Sequence, residues 1–467
     1  MAIAQFSGLA SGIDSKSLID AVIEAKLRTN EIRSEKISSL ESENDALEEL
    51  NTKLLSLSEL LDKFRTANGG GISKKASSTD SSVVTAAVSP AASNSSIGMT
   101  VASVASSGTG SFSDSYVDGD SLFAPNTVGT QTITVQVGTG ADQVNISVDI
   151  TAATTAQEFV DAVNSDANAS GRAVASMVKV ADNDYRVVVS TLKTGLNEGQ
   201  IAFSVPSGAA GFGGNTDLQT RTIDQATNAL FSIDGIAGTI TRQSNSISDV
   251  LTGVTFQLSK TGTASVIVTD DADASGDQFQ EIVDAFNDIV EFIAENNTAT
   301  QDNASRDKNI IYGTLGQTRI DDDFLSQFRE KLLGASSGST TGAAQSAADL
   351  GISTNRDGTI SFNVEKFKEA VASDSSGATA VFRDFADQSA GVDGFIYQFT
   401  TFQGVIDIAQ SSNLSQIDSL NDKIDQLQRS ADKTRDRLVL QFTRLERVTA
   451  ELQQKQSELS SVLSGLG

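Results

Sequence analysis

The last stretch of the chain repeats apolar side chains at alternating steps of three and four. The positions are Ile417, Leu420, Ile424, Leu427, Ala431, Thr434, Leu438, Gln441, Leu445, Val448, Leu452, Lys455, Leu459 and Val462. All but Thr434, Gln441 and Lys455 are apolar, so one stripe follows a helix ~70 Å long at a rise of 1.5 Å per residue. A seam that narrow buries itself only against another helix, as in a coiled coil, and polar seam positions set register at some cost in stability. The other end carries a matching element. Leu40, Leu47, Leu54 and Leu61 recur every seven residues, interleaved with Glu43, Leu50, Leu57 and Phe64. The segment from about Leu18 to Arg65 reads as one or two helices stopped by Asn68-Gly69-Gly70-Gly71. The two ends are expected to meet in one stalk, as zippers with no permanent mate in the free subunit. An ordinary helical bundle within one domain would show the same periodicity.

Between the ends the period changes to two. Val83 to Val88 and Met99 to Val104 read as strands around a loop at Ser89 to Ser96, and Ser106 to Gly119 reads as a polar link. Ile133, Val135 and Val137 alternate, as do Val144, Ile146, Val148 and Ile150. Thr155-Ala156-Gln157-Glu158 has capping-box spacing, and Ala156, Phe159, Val160 and Val163 give the following helix one apolar face. Ala173–Val180 and Tyr185–Ser190 flank the turn Asp182-Asn183-Asp184. Phe231 and Ile233 lead into the tight-turn pair Asp234-Gly235, and Val254, Phe256, Leu258, Val266 and Val268 continue the strand pattern. Helical spacing returns at Phe279, Ile282, Val283, Phe286, Ile289, Val290 and Ile293, with further helices expected near Asp322–Leu333 and Val364–Ala372. A turn at Asn355-Arg356-Asp357-Gly358 precedes a strand at Thr359–Phe362.

The order helix, strands, small α+β unit, strands, helices, long helix nests like brackets. The fold class is therefore α+β and multidomain: terminal coiled-coil helices forming a leg, a helix-rich stem and two nested β-rich head domains. The expected divisions are 1–30 with 405–467 for the leg and 31–75 with 275–404 for the stem. The outer head takes 76–108 with 222–274, and the inserted α+β head takes 109–221.

Charge and composition remove several functions. Lys and Arg number 34 against 60 Asp and Glu, a net charge of −26, which repels phosphate backbones and anionic membranes. No apolar run reaches the ~20 residues of a membrane helix, and Met1 to Ser15 lacks the pattern of a cleavable secretory signal. The absence of cysteine and histidine removes thiol chemistry, the commonest general base and the commonest metal ligand. Gly334-Ala335-Ser336-Ser337-Gly338 matches the string of serine hydrolases, but its serine has no imidazole anywhere to activate it. Asp271-Ala272-Asp273-Ala274-Ser275-Gly276 imitates half a calcium loop. Its twelfth position is Ile282 in place of a bidentate glutamate, so a strand-to-helix connection with Ser275 or Asp277 near the N-cap fits better. Asp321-Asp322-Asp323 reads as acids favouring a helix start. Neither enzyme chemistry nor a cofactor or metal site is expected.

Four motifs carry a family resemblance. They are Gly8-Leu9-Ala10-Ser11-Gly12-Ile13-Asp14 with Leu18-Ile19, and Leu350-Gly351-Ile352 with Asp357-Gly358-Thr359-Ile360. Arg435-Asp436-Arg437-Leu438 with Gln441-Phe442 opens the terminal coil. The longest motif includes Asn228, Asp234, Gly235, Asn245, Ile247 and Gly253 within Asn228–Thr255. The chain thereby resembles the family of bacterial flagellar filament cap proteins, also called hook-associated protein 2. Leu251 replaces a proline found in some relatives, and Asn363 an aspartate that caps the next helix.

The resemblance implies a homo-oligomeric ring, with a pentamer as the family-based expectation. It would sit at the distal tip of the flagellum, heads in a plate and coiled-coil legs below. Its implied partners are flagellin, the hook–filament junction proteins, the flagellar type III export apparatus and an export chaperone covering the C-terminal helix. Location would be extracellular, with no nucleic acid and no membrane insertion. A hook–filament junction protein or a tip adhesin for host mucin are the competing readings. With 22 Phe, 4 Tyr and no Trp, sugar-stacking aromatics are few.

Overall fold

A computed structural model describes residues 14–205, 221–297, 300–301, 310–311, 313–316, 318 and 320–464. The motif residues Gly8 to Ile13 lie outside them. The chain divides into two compact units, one of residues 1–68, 276–370 and 376–467, the other of residues 69–275 and 371–375.

The first unit is helical. The segment read as one or two helices is one, α1 (Ser15–Asp62), and Asp14 caps it by accepting from Ser17 N at 3.1 Å. Leu40, Leu47, Leu54 and Leu61 are all buried, as are Leu50, Leu57 and Phe64. These heptad residues lie in the interior of the chain's own helical unit, so the expectation that they lack a permanent mate is corrected. Four further helices follow in this part of the chain before the terminal one. A 26-residue helix begins in the other unit (α3, Ala272–Asn297), followed by α4 (Ile320–Gly334) and α5 (Val364–Ser389). The fourth is a short helix, α6 (Phe395–Thr400), which the periodicity did not reveal and which packs beside α1. Lys53 Nζ reaches Asp288 at 2.6 Å to tie α1 to α3. Phenylalanines fill the centre: Phe286 stacks on Phe328 at 4.0 Å, and Phe382 meets both Phe64 and Phe279.

The helical run of α5 is broken at Asp374 (φ −152°, ψ 71°), so its first part ends close to the expected Ala372 and a second helical part carries on to Ser389. Asn363 caps α5 by accepting from Lys366 N at 2.9 Å, so the replacement of aspartate leaves the cap in place. Asn287 holds the small hairpin before it, accepting from Ile360 N at 2.7 Å and donating to Ile360 O at 2.9 Å. The unit closes with α7 (Val405–Ser464), a helix of 60 residues.

The second unit holds two separate apolar cores. Around the first lie β1 (Lys74–Ser78), β2 (Val84–Val88), β3 (Ser95–Ser103) and, after the insert, five more strands. The insert is built of β4 (Ser107–Phe112), β5 (Gln131–Val137), β6 (Val144–Ile150), α2 (Ala156–Ser165), β7 (Ala173–Ala181), β8 (Asp184–Thr194), β9 (Ile201–Ser204) and β10 (Arg221–Asp224). The chain then returns through β11 (Ala229–Ile233), β12 (Ile240–Arg242), β13 (Ser246–Leu251), β14 (Val254–Leu258) and β15 (Gly262–Asp270). The outer head pairs a sheet of order β1-β15-β3-β11-β12 with one of order β13-β14-β2, all antiparallel. Met99, Val101, Phe231, Phe256 and Val266 are among its buried residues.

The insert has sheets β10-β4-β8-β7 and β6-β5-β9 around a core of Phe112, Phe123, Phe159 and the aliphatics of β5 and β6. The capping box of α2 is present in full: Thr155 accepts from Glu158 N and Glu158 accepts from Thr155 N. The first half of the stretch Ser106 to Gly119, read as a polar link, is instead a central strand, β4. Its core-facing positions are Gly108, Gly110 and Phe112, and the ring of Phe203 occupies the space where a Gly110 side chain would stand. A glycine filled from across the sheet leaves no apolar signature.

The acidic run before α3 is also rearranged relative to expectation. The cap is Asp271, accepting from Ala274 N at 3.3 Å, while Ser275 is fully buried and accepts from Ser73 N at 2.8 Å. Asp271 also pairs with Lys75, so its charge serves the helix start and a lysine.

Candidate functional site

Two groups of residues stand apart from ordinary core: the terminal helix pair and the polar motif of the outer head. Helices α1 and α7 lie antiparallel, since contacts rising along one descend along the other. Asn413 donates to Glu43 and Asn44 at 3.0 Å, and Gln410 Nε2 donates to Asn44 O at 3.2 Å. Farther along, Arg33 donates to Lys423 O and Asn30 to Ile424 O. Lys26 Nζ donates to Ser430 O, Ser430 Oγ and Thr434 Oγ1 at 2.7–3.0 Å. Ile19, Ile23 and Ala431 form the buried centre, with Leu27, Leu438, Val439 and Phe442 packed against it.

The seam therefore splits. Ile417 is buried, and Leu420, Ile424, Leu427 and Leu438 are half-buried in the half of α7 that runs beside α1. Beyond Phe442 the same stripe opens: Leu445, Val448, Leu452, Leu459, Val462 and Leu463 are exposed, Leu452 by 62% and Leu459 by 63%. The whole seam was expected to be unpaired in the free chain. The first half is paired within the chain because α1 is long enough to run beside it, and only the terminal half presents an open apolar stripe. Polar seam position Thr434 is the acceptor for Lys26, which gives that departure from the heptad pattern a local reason.

Two asparagines of the outer-head motif place their side chains on backbone groups distant in sequence. Asn245 accepts from Ala105 N at 2.7 Å and donates to Ala105 O at 2.8 Å, in the manner of a strand partner. Asn228 accepts from Leu196 N at 2.8 Å through Oδ1, and its backbone oxygen accepts from Ser103 Oγ. Asp234 N donates to Gly98 O, and Gly235 takes the positive φ (81°) of the turn. Ile247 is buried, and Gly253 (φ 76°) sits so close to Ala91 and Ala92 that a Cβ there would stand 2.7 Å from Ala92 N. Arg242 and Asp249 pair at 2.8 Å, and the hydrogen bond from Arg242 holds the Asp249 carboxyl below the usual aspartate range. Gln243, which periodicity did not single out, accepts from Asn197 N and Glu198 N.

Ser336 lies in a surface loop, where its N–H donates to Asp384 and its hydroxyl accepts from Gly338 N. Among the described residues no cluster of acidic side chains could hold a metal ion, and no helix is long and apolar enough to cross a membrane.

A long terminal helix paired with the N-terminal one, a helical stem and nested β-rich heads define an assembly protein of the flagellar type. Models of flagellar hook-associated protein 2 match the chain at both ends, the N-terminal part over residues 11–108 and the C-terminal part over 226–454. The chain belongs to the flagellar hook-associated protein 2 family, also known as FliD. It is 25% identical to the A-type flagellar hook-associated protein 2 of Pseudomonas aeruginosa, over 98% of this chain and 97% of that relative. With the Salmonella typhimurium protein it shares 25% identity over 67% of each. The crystal structure of the D1-D2-D3 domains of the Escherichia coli flagellar cap protein shares its fold. That match has TM-score 0.57 and 21% identity, covering 80% of this chain and 99% of the other.

Proposed function

We propose that this chain is the subunit that caps the distal end of the bacterial flagellar filament, outside the cell, where it promotes folding and insertion of exported flagellin and prevents its leakage. The observation that carries this reading is the open stripe of Leu445, Val448, Leu452 and Leu459 at the end of a helix whose first half is already paired. A stripe of exposed leucines on an otherwise polar helix gains most by burial against other chains, and membership of the cap family says which assembly that is. We assign these four residues to the contact made on assembly, and Leu40, Leu47, Leu54 and Leu61 to the rigid stem that carries it. The division of the chain into leg, stem, outer head and inserted head at 30, 75, 108, 221, 274 and 404 belongs to the same proposal. Its first boundary falls inside the continuous helix α1. Homo-oligomerisation as a pentamer, contact with flagellin and the junction proteins, export by the type III apparatus and a chaperone on the C-terminal helix complete it.

Deleting the gene and restoring it on a plasmid tests the reading. Cells without the protein are expected to shed unpolymerised flagellin into the medium and to swim again on complementation. Filaments that grow normally in its absence would overturn it, and a lost hook junction would point to the junction proteins instead.

A further inference from the structure

The insert joins the outer head through only two crossings of the chain, and the two lie side by side. Ser106 on the way in and Thr227 on the way out form a single antiparallel bridge, with N–H···O bonds of 3.0 and 3.3 Å and their hydroxyls 2.9 Å apart. The apolar cores on either side are separate clusters. Two adjacent strands of backbone form an axle, about which a domain can turn unless a third point, off the axle, stops it.

The β8–β9 connection of the insert supplies that third point. Thr194 Oγ1 donates to Gln243 O at 2.6 Å, and Leu196 N donates to Asn228 Oδ1 at 2.8 Å. Asn197 N and Glu198 N both donate to Gln243 Oε1, at 3.1 and 3.3 Å. Gly195 allows the approach: its φ is +84°, and a Cβ there would stand 2.5 Å from Gln243 Cβ. We infer that the side-chain amides of Asn228 and Gln243 are a latch that fixes the orientation of the insert on the outer head. With the latch open, the insert turns about the Ser106–Thr227 bridge. This goes beyond the capping role and assigns positioning residues within the head unit alone.

The latch makes a prediction that a merely structural role does not. Both amides act on the loop as acceptors, so a carboxylate of the same shape keeps the contact and a methyl group does not. Backbone exchange in the full chain reads this at the donors themselves. Gln243→Ala is expected to speed exchange at Asn197 and Glu198 about fivefold or more, and Asn228→Ala at Leu196, as for a lost backbone hydrogen bond. Gln243→Glu and Asn228→Asp are expected to restore protection. The chain has no cysteine, so spin labels at Val180→Cys on the insert and Ile236→Cys on the head, both exposed positions, report orientation directly. One narrow distance distribution is expected for the parent, a broadened one for the double alanine variant, and a narrow one again for the double carboxylate variant. Unchanged exchange and width in the double alanine variant would overturn the latch. So would carboxylate variants as loose as the alanines. Neither readout involves a filament, so a failed latch leaves the capping role standing, and the reverse holds too.

Discussion

Arg435 Nη2 lies 2.8 Å from Asp20 Oδ1, joining residues 415 positions apart at the open end of the α1–α7 pair. Both side chains are about half exposed. In water such a pair contributes under ~1 kcal/mol, so its effect is on register more than on stability. The burial of Ile19, Ile23 and Ala431 just beside it holds the helices together.

Arg435→Ala is accordingly expected to lower the stability of the helix pair by less than ~1 kcal/mol. Ala431→Leu, which forces extra methylenes into a site with no exposed surface, should cost about 1–3 kcal/mol. Urea titration followed by exchange along α7 separates the two effects, and equal losses would contradict this division of labour.

The open stripe responds differently from the paired one. Leu445→Asp or Leu459→Asp should leave the unfolding of the isolated subunit within ~0.5 kcal/mol of the parent, since both side chains are already in water. Capping, by contrast, should be lost. Motility restored by either variant in a cap-deficient strain would refute the assembly role of the stripe. Leu50→Ala, at a fully buried position, should instead cost about 2–5 kcal/mol in the subunit itself.

Gly110 and Phe203 are coupled by shape. Gly110→Ala is expected to destabilise the insert by about 1–3 kcal/mol through overpacking, because its methyl group would occupy the place of the ring. Adding Phe203→Leu should recover part of that loss. A double-mutant cycle measured by thermal unfolding gives the coupling, and strict additivity would remove the explanation offered for β4.

Of the depressed carboxylates in the outer head, the largely buried Asp270 is the one at which acid should loosen it most. Burial pushes Asp270 up, but hydrogen bonds from Lys74, Asn94 and Ser375, with the lysine charge, outweigh it and hold the group below the usual aspartate value of 3.8. A carboxylate depressed on folding stabilises the fold above its unfolded value and loses that stabilisation as pH falls through the folded one. Stability is therefore expected to decline from about pH 4 downward, and Asp270→Asn should flatten that part of the profile. An unchanged acid limb in the variant would show that other carboxylates carry it.

Much of this molecule is written in its local pattern. The three-and-four spacing of α7, the capping box of α2 and the glycine turns at Gly235 and Gly358 are short-range matters of periodicity and φ, and they stand where the residues place them. The motif around Asn228 and Asn245 was recognisable as a string, but its work was not, because each amide reaches a backbone group far away in sequence, as Asn245 does at Ala105. Strand β4 was illegible because glycines face its core, and Phe203 fills the space at Gly110 while Gly199 and Ile201 fill it at Gly108. The heptads of α1 and α7 looked alike, yet Leu47 is interior and Leu452 is not. Periodicity states that a face is apolar, which is a property of the residues alone. Which faces find a partner inside the chain depends on where other helices lie, and that is settled only when the whole chain has packed.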